Sequence, residues 1–301
     1  MPPTHWLLAL VAVLIWGTNF VVIAWGLAEL PPFLFCALRF FFTAFPLIFL
    51  IRRPDVRWPV LAAFGLLIGV GQFGLLFFAM HAYITPGLAS LLIQTQVIFT
   101  ILLGLKNPGH RLAPLQVMAI AMAVAGIGAV AWRSASAGGT AVTPLGVALI
   151  LAAGLFWALG NRLVQAAGRV DVIAFLVWSS LSAVPPLLLL SGLFDGAANA
   201  VHALTHMSAR AAAALAWQVC GNTLFGFGVW NWLLARHPAP IVTPVALLVP
   251  VFGMTASAWL LKESLPAWKI AAAALVLAGL ALNVVASAKS RVLTSPTTRP
   301  V

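Results

Sequence analysis

Arg39 stands about seven residues, or roughly 10 Å, inside an apolar run that begins near residue 32. A charge at that depth costs at least about 2.5–3.5 kcal/mol on insertion scales, so the guanidinium must find a partner or water. Two arrangements meet that need: a bound carboxylate, which a guanidinium grips with two parallel hydrogen bonds, or a side chain that snorkels outward toward Glu29 and the helix ends. Polar residues recur elsewhere at helical spacing. Trp16 and Asn19 share a face, as do Trp157 and Asn161. The two asparagines suit either a ligand or interhelical hydrogen bonds worth roughly 0.6–2 kcal/mol each in lipid. Gln72 falls on a stripe with Leu76, Ala79 and Tyr83, and Gln218 on a second stripe with Asn222 and Phe225. Tyr83, the single tyrosine, stands beside His81 where its run ends, the place of a pathway mouth or of an aromatic-belt anchor. Gln94 and Gln96 are two residues apart and cannot share a helical face, so one of them is expected on a pathway, and Gln96 is preferred.

Aromatic side chains can stack on a ring or face an ammonium group, and Trp16, Trp157, Trp178, Trp217 and Trp230 are the candidates. Pro86, Pro244 and Pro250 are expected to bend the fourth and ninth runs and to serve as hinges. Several familiar chemistries are missing. Glu29, Asp55, Asp171, Asp195 and Glu263 all fall at run ends or in connections, which speaks against a relay of buried acids and against a carboxylate sodium site. His81 and Glu263 remain as rim groups that could exchange protons. There is no HExxH, no Walker loop and no paired acid and base within a run, so an enzyme, a metal centre and a cofactor are not expected. Cys36 and Cys220 both sit in apolar runs and offer neither a disulfide framework nor a CxxC site.

The elements that must position these groups are membrane helices. With 63% hydrophobic residues, 7% charged ones and a mean hydropathy of +1.08, the chain cannot form a water-soluble domain. Apolar runs of spanning length lie near 6–27, 32–51, 58–80, 85–105, 112–132, 143–165, 172–193, 210–235, 239–261 and 266–287. The first is too long for a cleavable signal and no Lys or Arg precedes Arg39, so it reads as a retained helix. The net charge of +11 reads as topology, and no nucleic-acid partner is expected. With the N-terminus inside, Arg52, Arg53, Arg57, Lys106, Arg111, Arg162, Arg169, Arg236, Lys289, Arg291 and Arg299 lie at inward ends. Only Arg133, Arg210, Lys262 and Lys269 lie at outward ends. Both termini are therefore expected in the cytoplasm of a multi-pass protein of a bacterial inner membrane, in contact with its lipids.

The Ser/Gly/Ala-rich stretch from Ser134 to Thr143 separates two halves that repeat one another. Leu14-Ile15-Trp16 aligns with Leu155-Phe156-Trp157, and Ala125-Gly126-Ile127 with Ala278-Gly279-Leu280. The segment 35–39 aligns with 174–178, which sets Trp178 opposite Arg39 and predicts one cationic and one aromatic wall. The division expected is 1–137 for the first repeat, 138–287 for the second and 288–301 for a basic cytoplasmic tail. Five crossings per repeat invert the second copy relative to the first, an architecture of secondary transporters.

These features carry a family resemblance. A Trp stands in the first helix of each repeat (Trp16, Trp157), Arg39-Phe40 in the second helix and Pro250-Val251 in the fourth helix of the second repeat. A turn, Lys262-Glu263-Ser264-Leu265, then precedes a helix ending in an Ala-Gly pair. In this pattern the chain resembles the EamA-type exporters of the drug/metabolite transporter superfamily over nearly its whole length. It departs from them at His110, where the first repeat's turn would carry Glu, and at Gln96, where its fourth helix would carry Pro. The resemblance implies an all-α integral membrane protein of ten helices in two inverted five-helix repeats. It also implies export of amino acids, with aromatic or bulky ones expected here, or of related metabolites, by a monomer or weak homodimer. The substrate site expected comprises Trp16, Asn19, Arg39, Gln72, His81, Tyr83, Gln96, Trp157, Asn161, Trp178, Gln218 and Asn222. Alternatives of other kinds are an exchanger of phosphorylated or nucleotide-linked metabolites and a membrane-embedded enzyme.

Overall fold

Helix starts follow from local chemistry. Proline lacks the N–H that a first turn leaves unpaired, and Pro3, Pro32, Pro59, Pro86 and Pro144 occupy that turn in five helices. Where proline is absent or insufficient a side chain accepts from the first turn: Thr143 from Gly146 N at 3.0 Å, Asp171 from Ala174 N at 3.0 Å and Ser208 from Ala211 N at 3.2 Å.

The computed structural model describes residues 1–105, 112–136, 142–168 and 170–294, by backbone alone at 239 and from 288 onward. It is all-helical among those residues. The helices are α1 (Pro3–Leu27), α2 (Pro32–Phe49), α3 (Trp58–Ala82), α4 (Pro86–Gly104), α5 (Pro114–Ser136), α6 (Pro144–Ala167), α7 (Val172–Thr205), α8 (209–236), α9 (Pro240–Leu260) and α10 (Ala267–Thr294). Nine are long and apolar enough to cross a membrane; α8 falls outside that set, its apolar residues being diluted by Gln218, Asn222, Thr223 and Asn231. Lys106, His110, Arg111, Arg169 and Arg299 lie outside the described residues, as do the side chains of Lys289 and Arg291 and the boundary at 137–138.

The two halves interlock. Helix α1 packs on α8 and α9, α2 on α7, and α6 on α3 and α4. Helices α5 and α10 pack chiefly on each other, through the matched glycines of the repeat. A Cβ on Gly126 would lie 2.8 Å from Ala272 O, and one on Gly279 would lie 2.6 Å from Ala119 O. Backbone touches backbone there, which small residues permit between membrane helices.

Two helices, α7 and α4, differ from the sequence expectation. The seventh run was expected to end near 193, whereas α7 continues to Thr205 through a π-helical turn, Ser191–Gly196. Pro185 and Pro186 lie inside α7 without ending it. Pro86 opens α4 instead of bending it, because a proline at the first position has no helical hydrogen bond to remove. The break in α4 falls at Ile93-Gln94, between the helical pieces Pro86–Leu92 and Thr95–Gly104. In α9 the break is a 3₁₀ segment, Thr243–Leu247, that contains Pro244, and Pro250 is buried just beyond it in Leu248–Leu260.

Candidate functional site

The third helix of each repeat departs from α-helical winding by a π segment. In α3, residues Leu66–Gly74 form a nine-residue π segment, and in α8 another of nine residues spans Trp217–Phe225. A π turn closes its bonds five residues apart, is rare, and concentrates at functional sites. Its wider winding is supported here by close neighbours. A Cβ on Gly69 would meet Ala183 Cβ at 2.3 Å, and one on Gly71 would meet the Phe156 ring at 2.5 Å. In α8, Thr223 Oγ1 donates to Gln218 O across five residues at 2.7 Å.

Arg39 on α2 points into α8 at this segment. Its guanidinium donates from Nη1 to Gln218 Oε1 at 3.2 Å and from Nη2 to Thr223 Oγ1 at 3.1 Å. The guanidinium carbon lies 3.7 Å from the centre of the Phe73 ring, on the π segment of α3. Gln218 Nε2 in turn donates to Asn19 Oδ1 of α1 at 2.7 Å. Four helices, α1, α2, α3 and α8, thus meet at one buried cluster in which Arg39 is 1% and Gln218 0% exposed. Arg39 Nε is buried with no acceptor among the described residues. Every partner of the charge is a neutral oxygen or an aromatic face.

The five acidic residues are engaged elsewhere or exposed. Glu29 accepts from Ser208 N at 3.2 Å and Ser208 Oγ at 2.8 Å, at the start of α8. Asp195 of α7 accepts from Phe33 N at 3.1 Å and Leu34 N at 3.0 Å, at the start of α2. Glu263 accepts from Thr85 Oγ1 at 2.5 Å and Gly87 N at 2.9 Å, at the start of α4, and pairs with Lys269 at 3.0 Å. A carboxylate suits a helix N-terminus, where unpaired N–H groups carry positive partial charge. All three reach from one repeat to the other, and all at the same end of the bundle. Asp171 caps its own helix, and Asp55 is exposed in the connection between α2 and α3.

The remaining sequence candidates scatter. Trp16 stays near the cluster, its Nε1 donating to Asn222 O at 3.2 Å and its ring 5.1 Å from that of Trp230. It fills the space beside Gly226, where a Cβ would lie 2.4 Å from Trp16 Nε1. Gln72 is buried beside Phe73. Asn161 does not mirror Asn19; its Nδ2 donates to Gln96 Oε1 on α4 at 3.2 Å. Trp157 packs against the core. Trp178 does not form an aromatic wall beside Arg39: its Nε1 donates to Ile51 O at 3.0 Å and its ring meets Trp58 edge-on, at the end of α2. The alignment that pairs Trp178 with Arg39 is one of position along the helix, and the indole reaches instead to an unpaired carbonyl at a helix end. Trp217 is 36% exposed at the surface of the bundle. His81 is exposed, and Tyr83 half-buried, its carbonyl accepting from Thr143 N at 2.9 Å where α3 meets α6. At the opposite end His5 and His237 touch ring to ring at 2.6 Å, and His237 titrates below the usual histidine value because of desolvation first, then the charges of His5, the amino terminus and Arg236.

Thr223 and Phe73 are the cluster members that the residue spacing does not reveal. The signal that finds them is the demand of Arg39 for partners, followed across helices.

Residues 4–132 and 144–285 each match the model of the EamA-like transporter family. The chain is 40% identical over 281 residues to a probable amino-acid metabolite efflux pump of Salmonella typhimurium, covering 92% of this chain and 93% of the relative. A probable amino-acid metabolite efflux pump of Escherichia coli is 38% identical with the same coverage. A solved crystal structure, 21% identical, superposes with a TM-score of 0.64 over 98% of this chain and all of its own, and so shares the fold.

Proposed function

The chain belongs to the EamA-like transporter family, and from that premise we propose that it exports amino acids, aromatic or other bulky hydrophobic ones in particular, and related metabolites by alternating access between the two repeats. The observation that carries the reading is the Arg39 cluster. It places one buried cation, amide groups and aromatic faces at a junction of helices from both repeats, which suits a molecule bearing a carboxylate and an apolar side chain. The names of the two relatives support the substrate class. The site proposed for the substrate centres on Arg39, Asn19, Gln72, Gln218, Asn222 and Trp16. Asn161 and Trp157 of the second repeat, with Gln96 of the first, form a neighbouring group, and Tyr83 and His81 belong to the outer mouth. Transport is facilitative, since the five acids are engaged at helix starts or exposed outside the cluster. The protein sits in a bacterial inner membrane with both termini in the cytoplasm.

Counterflow of labelled Phe, Met and Glu in proteoliposomes, with and without a pH gradient, tests this. Exchange of Phe and Met that ignores the gradient is expected. Folded protein that exchanges none of them would overturn the substrate class, and a gradient-dependent rate would overturn the facilitative mechanism.

A further inference from the structure

Gln218 is fully buried and joins two helices to α8: its Oε1 accepts from Arg39 and its Nε2 donates to Asn19. A ligand that takes the place of its Oε1 on Arg39 displaces this amide. Among the described residues Arg39 meanwhile has its buried charge balanced by neutral oxygens and the Phe73 and Phe40 rings, with Nε left over. A charged acceptor on a guanidinium forms shorter bonds, roughly twice as strong as neutral ones.

Resting on the efflux reading above, we propose that Gln218 is a resident stand-in for the substrate's carboxylate. The arriving carboxylate accepts from Arg39 Nη1 in place of Oε1 and displaces the Gln218 amide. Release of that amide breaks the Gln218–Asn19 bond, so α8 is held to α1 and α2 at its π segment by fewer bonds, Trp16 to Asn222 O and Arg39 to Thr223. The substrate thereby completes the charge balance of the cluster and, in the same step, loosens one helix of the second repeat from two of the first. Small carboxylates are the ligand class, and neutral analogues lacking the carboxylate are not.

The test uses the purified full-length protein and its proteoliposomes. Leucine, phenylalanine and methionine are compared with their carboxamides by thermal unfolding and by counterflow. The free acids are expected to stabilise the wild type and the carboxamides not to. Q218E installs an internal carboxylate against Arg39; it should melt higher than wild type without ligand, lose the response to the acids and cut counterflow about tenfold or more, a factor that corresponds to about 1.4 kcal/mol. Q218A removes the stand-in; it should bind the acids several-fold more tightly yet exchange them more slowly, because binding no longer drives release. A purely structural Gln218 predicts the reverse order, with Q218A the more damaged and Q218E nearly neutral. Carboxamides that stabilise as well as the acids, or a Q218E protein that responds like wild type, would overturn the proposal and leave amino-acid efflux standing. A folded wild type that answers neither acids nor carboxamides would instead overturn the efflux reading itself.

Discussion

Thr223 illustrates what a single hydroxyl does in this protein. It accepts from Arg39 Nη2 of α2 and donates to Gln218 O within α8, so both its acceptor and its donor are engaged. Replacement by valine keeps the shape and leaves a buried guanidinium N–H without its oxygen, a loss of about 1–3 kcal/mol, whereas serine keeps both bonds. T223V is expected to melt lower than wild type in detergent and T223S close to it; equal melting of the two variants would show the hydroxyl to be idle. Arg39 itself was legible in the sequence, because a guanidinium deep in an apolar run has to be explained. Thr223 was not. Counting at 3.6 residues per turn puts Gln218 with Asn222 and Phe225, while a π turn brings residue i+5 under residue i. Trp178 failed for a related reason: alignment gives a residue its place along a helix and says nothing of which neighbour its side chain reaches.

Elements were read from the sequence with more success than their irregularities. Ten runs became ten helices, and proline and cap residues explain most starts. The π segments of α3 and α8 have no such marker, since their winding depends on what packs into them, such as Phe156 and Ala183 against the glycines of α3. Of the expected prolines, Pro244 falls in the break of α9 and Pro250 in the helix beyond it, while Pro86 opens α4, whose kink falls at Ile93-Gln94. The Ala-Gly pairs were visible as a repeat, and the structure gives them their physical task of joining α5 to α10. A methyl group on Gly279 would sit 2.6 Å from a backbone oxygen that has no rotamer to yield. G279A is therefore expected to lower the melting temperature and G126A to do the same, while Gly128, which has nothing within 4 Å of its Cβ position, should accept alanine without loss. Thermal unfolding of the three variants checks this, and a G279A protein as stable as G128A would show that the two helices separate freely.

At the scale of the whole molecule, charge placement and hydrophobicity separate the lipid-facing surface from the interior. Exposed Phe41, Phe42, Phe45 and Phe49 on α2, and Leu188, Leu189, Leu193 and Phe194 on α7, present apolar side chains outward, which a bilayer accepts and water would not. The helix least able to cross on its own, α8, is the one that carries Gln218, Asn222 and Thr223 inward, so its stability in the bilayer depends on its neighbours. The three carboxylates at one end have a further consequence. Each ties a helix of one repeat to the other, so while any two hold, the third pair stays within reach and re-forms quickly, at an effective concentration far above that of separate molecules. Rupture at that end is then cooperative. E29Q, D195N and E263Q should each open it little, whereas the triple variant should open it far more than the separate effects combined. Cys36, buried on α2 one turn from Arg39, reports the event in a C220A background through its labelling by a membrane-impermeant thiol reagent. Labelling that rises in equal steps with each substitution would mean three independent fastenings; a late, steep rise would mean that this end has two states, shut and open, with nothing stable in between.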